Sequence, residues 1–136
     1  MGLEAQTQIE MLGPTHRIPG KLTAGDTYYK GGVMGIIDGF FSASGGIPSG
    51  ILTGYGFDPD DGGAKVVSSS DNPDAEIDVG MAWVPYSGAS QESVGDTFFL
   101  TDDNTVTTTA GDYAGVLCRG YKSGYVLLDF RTVLAS

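Results

Sequence analysis

At 136 residues the chain is long enough for one domain with its own core, and its 22 glycines rule against long helices, because each interior Gly costs about 1 kcal/mol relative to Ala. With 17 acidic against 7 basic residues the formal charge is −10, a surface that repels phosphate backbones, so no nucleic-acid partner is expected. The lone Cys118 excludes an intrachain disulfide, and no apolar run approaches the ~20 residues of a membrane helix, so the chain reads as soluble with no membrane partner.

Residues 1–11 are polar and carry Glu4 and Glu10, which predicts no secretory leader, and Gln6 stands where myristoylation wants Ser or Thr. Residues 1–21 read as an extended N-terminal arm ahead of a domain spanning residues 22–136. The arm spaces single apolar residues (Leu3, Ile9, Met11, Leu12, Ile18) between polar ones. Pro14 and Pro19 forbid a continuous helix or a central strand there. Its charges cancel, Glu4 and Glu10 against Arg17 and Lys21, so the acidity belongs to the remainder. The segment reads either as a frayed terminus or as an arm that orders on a partner, with its spaced apolar residues as anchors.

From Leu22 onward the signals are strands and turns. Residues 33–41 are apolar except for Asp38-Gly39, a strong hairpin signal. Residues 58–78 hold seven Asp or Glu against Lys65 alone, with loop chemistry and a brief strand at residues 64–67. Residues 76–84 alternate clearly, which places Ile77, Val79, Met81 and Trp83 on one apolar face and makes Trp83 a core residue. Residues 101–104 form a turn between an aromatic strand and a Thr-rich one. In the last strand, residues 124–134, Val126, Leu128, Phe130 and Leu134 point inward and Asp129 and Arg131 outward. Roughly eight to ten short strands point to a barrel or sandwich.

An internal echo runs through this pattern. Gly25-Asp26-Thr27-Tyr28-Tyr29 returns as Gly95-Asp96-Thr97-Phe98-Phe99, and Gly50-Ile51-Leu52-Thr53-Gly54-Tyr55 is matched by the run from Gly115 to Tyr121. Each copy launches an aromatic strand from a Gly-Asp turn, which predicts a duplicated or pseudo-symmetric core.

Catalytic chemistry is sparse. His16, the one histidine, lies in the arm, and Cys118 sits mid-strand, where a buried, inert thiol is expected. Asp58-Pro59-Asp60-Asp61-Gly62-Gly63 opens like a calcium loop, but Gly62 stands at the fifth position and Ser69 at the twelfth, so an acidic solvated loop is the better reading. No Gly-Lys-Ser/Thr phosphate loop occurs, and Gly54-Tyr55-Gly56 lacks the third glycine of a dinucleotide fingerprint. The expectation is a non-enzyme with no cofactor and no metal.

The order of features resembles the head-decoration (cement) proteins of tailed bacteriophages and related prophage proteins, over roughly residues 22–133. The likeness rests on Ala24 to Gly32 with its Gly-Asp-x-Tyr-Tyr-Lys-Gly-Gly run, the Phe40-Phe41-Ser42-Ala43 hairpin end, the Gly50 strand, the Asp-rich loop, the Trp83 strand, and Gly95-Asp96-Thr97-Phe98-Phe99. The resemblance implies an all-β, compact β-barrel or β-tulip-like domain of short antiparallel strands, carried on the outer capsid surface of the virion after synthesis in the host cytoplasm. It implies a homotrimer and the major capsid protein as partners. The arm then supplies the contacts: Leu3, Ile9, Met11 and Leu12 buried against a capsid subunit or sister copy, and Arg17 and Lys21 paired with its carboxylates. Tyr28, Tyr86, Tyr113 and Tyr121 are candidate interface aromatics. Two rivals are another virion β component, such as a tail tube or head fibre, and a carbohydrate-binding β module that stacks sugars on Trp83 or the tyrosines.

Overall fold

The computed structural model describes residues 2–3, 9–53 and 64–134. Residues 58–63 of the acidic loop and the Gly54-Tyr55 end of the echo lie outside them. Eleven strands and one 3-10 turn, Gln91–Ser93, make up the regular structure of the described residues. The strands are β1 Met11–Lys21, β2 Thr27–Tyr29, β3 Val33–Ile37, β4 Phe40–Ser42, β5 Ile47–Leu52, β6 Ala64–Val66, β7 Asp74–Pro85, β8 Thr97–Asp102, β9 Thr105–Thr107, β10 Gly115–Lys122 and β11 Tyr125–Leu134. The protein is all-β, and its main sheet curls into a half-barrel.

Nine strands form that sheet, in the order β4-β3-β5-β7-β11-β10-β8-β9 with β1 on β7, while β2 and β6 pair separately. Every ladder is antiparallel. Two contacts pull the curl inward. Leu22 bridges Phe41, with Thr23 N–H donating to the Phe41 carbonyl at 2.9 Å, so the end of β1 reaches β4. Val33 N–H donates to the Asp103 carbonyl at 2.8 Å, so β3 meets the β8–β9 turn.

The turns follow their chemistry. Asp38 and Gly39 both take positive φ (52° and 87°), the conformation a two-residue hairpin needs, and Ile37 pairs with Phe40 across it. Asp103 and Asn104 join β8 to β9, with Asn104 N–H bonded to the Asp102 carboxylate at 3.0 Å. The two Gly-Asp launches are locally alike. Gly25 N–H and the Asp26 carbonyl are held by Ser68 and Val67, while Gly95 N–H and the Asp96 carbonyl are both held by Cys118, each bond 2.9 Å. Pairing beyond that point differs, because β2 pairs the short β6 whereas β8 pairs the Gly-led β10. The repeat is one of turn-and-strand units, and the sheet does not duplicate.

Burial falls into two clusters. One gathers Val33, Ile51, Ala82, Val84, Phe98, Val116, Cys118, Val126, Leu128 and Phe130 among its members; the other gathers Leu22, Tyr28, Met34, Phe41, Leu52, Val67 and Ile77 among its own. Val79 packs against both. Each fully buried Leu, Ile, Val or Phe contributes about 1.5–3 kcal/mol.

Three sequence expectations are corrected. Residues 11–21 form a strand paired along β7 from Met11↔Ala82 to Lys21↔Asp74, so the boundary at residue 21 cuts a strand from its own sheet. The prolines are tolerated because β1 lies at an edge, and the register slips between Leu12 and His16, around Pro14. Trp83 is half-buried and off the core face. Burial on β7 changes sides at Gly80, with Ala75 and Ile77 inside before it and Ala82 and Val84 inside after it, because the strand runs from one cluster to the other. Asp129 is not on a wet face; only 2% of it is exposed.

Candidate binding surface

The six arm residues singled out in the sequence scatter over this scaffold. Ile9 and Met11 pack against the first core cluster, while Leu12 and Ile18 stand 42% and 44% exposed on β1. Arg17 Nε lies 3.4 Å from Asp78 Oδ1, and Lys21 Nζ lies 2.8 Å from Asp74 Oδ1, both across the β1–β7 ladder. These pairs are too exposed to stabilise the strand much. Leu3 donates its N–H to Asp103 Oδ1 at 2.7 Å. Burial pushes the Asp103 carboxyl above its ordinary value, and the Leu3 N–H opposes that shift only in part.

Leu3 and Asp103 border a cleft of about 420 Å³, completed by Ile9, Glu10, Trp83, Pro85, Asn104, Lys122 and Tyr125. The β10–β11 hairpin brings Lys122 opposite Tyr125, and β11 sets Tyr125 beside Pro85 of β7. Lys122 Nζ then sits 4.6 Å from the Trp83 ring centroid, 5.3 Å from that of Tyr125 and 3.0 Å from Glu10 Oε1. Trp83 N–H is bonded to the Glu10 carbonyl at 3.0 Å, which fixes the start of β1 beside the indole. The result is an aromatic floor with a polar rim, an arrangement suited to holding an amphipathic group.

Sequence reasoning missed this cleft because its residues come from four separated stretches. One signal was available: Gly80 in the middle of a strong strand pattern. A Cβ there would stand 2.9 Å from the Pro14 carbonyl oxygen and 3.0 Å from Thr15 Cγ2, so the glycine admits the irregular part of β1, and it is there that the buried face switches.

A second cluster lies on β10 and β11. Asp129 accepts five hydrogen bonds: from Arg131 N, Nε and Nη2 at 3.0, 2.9 and 3.4 Å, from Arg119 Nε at 3.2 Å and from Thr132 Oγ1 at 3.2 Å. Burial alone would raise its pKa, but the two guanidiniums and the Arg131 N–H outweigh it and hold the carboxyl below the usual range.

The remaining sequence candidates are dispersed. His16 is exposed on β1, opposite Val79. Cys118 is buried, its thiol donates to the Gly120 carbonyl at 3.2 Å, and burial pushes its pKa up. Tyr28 belongs to the core and not to an interface: it is fully buried, its hydroxyl donates to the Thr23 carbonyl at 2.8 Å, and burial together with Asp26 pushes its pKa to about 12. Tyr86 packs edge-on against Phe98 with centroids 4.9 Å apart, while Tyr113 and Tyr121 stand 40% and 42% exposed. Among the described residues no group of three or more His, Cys, Asp or Glu is placed to hold a metal ion. No family model, curated protein or solved structure matches the chain.

Proposed function

We propose that this chain is a non-enzymatic virion protein that decorates the outer capsid surface and braces the head, acting as a homotrimer on the major capsid protein. The likeness in feature order to phage cement proteins supports the reading. The observation that carries it is β1: an eleven-residue edge strand, exposed at most positions, that displays Leu12 and Ile18 on an otherwise acidic domain. Exposed apolar side chains on a rigid edge give a shallow grip that many copies repeat over a lattice. Because β1 is part of the sheet, the grip is tested by point changes and not by deletion. Leu12→Asp with Ile18→Asp keeps the ladder to β7 and removes the apolar display. Binding to expanded heads, measured by co-sedimentation, is expected to drop at least tenfold while circular dichroism stays unchanged. Full occupancy by that variant would sink the reading.

One observation favours a second reading, a carbohydrate-binding module. Trp83 lines the cleft with Tyr125 and Pro85 instead of filling the core, and a sugar stacking there would share the rings with the Lys122 ammonium or displace it. A glycan array probed with the intact chain tests it, and an array without hits removes it.

A further inference from the structure

The Asp129 cluster is built at two breaks in strand register. On β10, Cys118 pairs with Leu128 and Gly120 with Leu127, so Arg119 is an extra residue. On β11, Val133 pairs with Val116 and Asp129 with Leu117, so the residues between them, Arg131 and Thr132 included, also lie outside the ladder. Bulges re-aim side chains, and here both turn toward one buried carboxylate whose side chain is 3% exposed. The two arginines remain 48% and 41% exposed. A guanidinium carries N–H donors on three nitrogens. Arg119 turns Nε to Asp129 and Nη2 to Thr132, and Arg131 turns Nε and Nη2 to Asp129, which leaves the Nη1 groups of both without an acceptor among the described residues.

One arginine would balance Asp129; two leave a surplus positive charge on a chain whose net charge is −10. The buried carboxylate also fixes both guanidiniums before any ligand arrives, so little side-chain entropy remains to be lost on binding. We infer that Arg119 and Arg131 form a receptor for a carboxylate on a partner protein. A single surplus charge matches a carboxylate, whereas the chain's net charge of −10 opposes multiply charged phosphates. Val133 is 50% exposed two residues beyond Arg131, where β11 rejoins the ladder opposite Val116, and offers the apolar contact a protein surface would meet. The receptor would serve the bracing role proposed above, and the experiment reads the site alone, so its failure leaves that reading to its own test.

The test is a side-chain NMR titration of the intact, isotope-labelled chain at constant ionic strength. The probes are a blocked Ala-Glu-Ala tripeptide and, separately, inorganic phosphate. Arg17 is the internal control, since it lies on β1 and not in the cluster. The expected result is that Arg119 and Arg131 guanidinium signals move together and saturate with the tripeptide while those of Arg17 do not. Arg119→Gln and Arg131→Gln should each weaken that binding at least tenfold. Three results would overturn the inference: unmoved Arg119 and Arg131 signals, all three arginines drifting in parallel without saturation, or saturation with phosphate but not with the tripeptide. The wild-type titration decides the matter even if a variant folds poorly.

Discussion

The ammonium of Lys122 is held 4.6 Å from the centroid of the Trp83 ring, and this contact ties the tip of the β10–β11 hairpin to β7. A cation over an indole at a partly exposed position is worth about 0.5–1 kcal/mol. Lys122→Met keeps the length of the chain and removes the charge. It should lower stability by about that amount and shift the emission of Trp83, the single tryptophan, which is read by fluorescence during denaturant unfolding. Unchanged emission would mean that the ammonium does not sit over the ring in solution.

Gly80 meets the backbone of β1 so closely that any Cβ would press on the Pro14 carbonyl at 2.9 Å. Gly80→Val should therefore push β1 from its edge and cost about 1–3 kcal/mol, as overpacking does. Hydrogen exchange should show lost protection for β1 amides and retained protection for β10 and β11. Undiminished β1 protection would contradict the packing described.

Asp129 and Asp103 make opposite contributions to pH dependence. The Asp129 carboxyl is held low in the folded state, so its stabilisation is present above the ordinary carboxylate range and is lost as pH falls through its folded value. Asp103 is raised, so its contribution is fully present below the ordinary value of 3.8 and is lost as pH rises through its folded value. Asp129→Asn should flatten the acid limb of the stability curve. Asp103→Asn should increase stability at neutral pH, since the amide oxygen can still accept the Leu3 N–H. Urea unfolding at pH 3 and pH 7, about one unit below and three above a free carboxyl, reads both.

Removing the acceptor and removing its donors should differ. Asp129→Ala deletes a buried acceptor but leaves two half-exposed, solvated guanidiniums, at about 1–3 kcal/mol. The double change Arg119→Ala and Arg131→Ala strands a buried carboxylate and should be the less stable of the two. Chemical denaturation of both variants orders them, and the reverse order would show that the carboxylate is solvated.

Cys118 should be inert toward a thiol reagent in the folded chain and react at once in denaturant, because the residue is 1% exposed and its pKa is raised. Rapid labelling of the native protein would refute that placement.

Much of the fold was legible in residues with local meaning. Asp38-Gly39 announced its hairpin because positive φ at two successive positions has a narrow chemistry, and the launches at residues 25 and 95 announced their strands through one positive-φ glycine each. Side assignment was legible only where a strand serves one cluster. On β7, which serves two, alternation placed Trp83 inside when it lies at the cleft. Strand β1 escaped notice because prolines read as strand breakers, and nothing local says that this segment ends at an edge. Asp129 looked solvated because its partners depend on slips in register, which no alternation pattern records.

β7 takes residues 11–21 along one edge and residues 125–129 on the other. β1 thus waits for residues 74–82, and β7 in turn waits for residues 125–129. A domain wired in this way cannot finish piecemeal: β5 holds Ile77 and Asp78, but until β11 arrives residues 81–85 of β7 keep an unpaired edge able to recruit a neighbouring chain. Slow, all-at-once completion is the kinetic signature that this connectivity imposes.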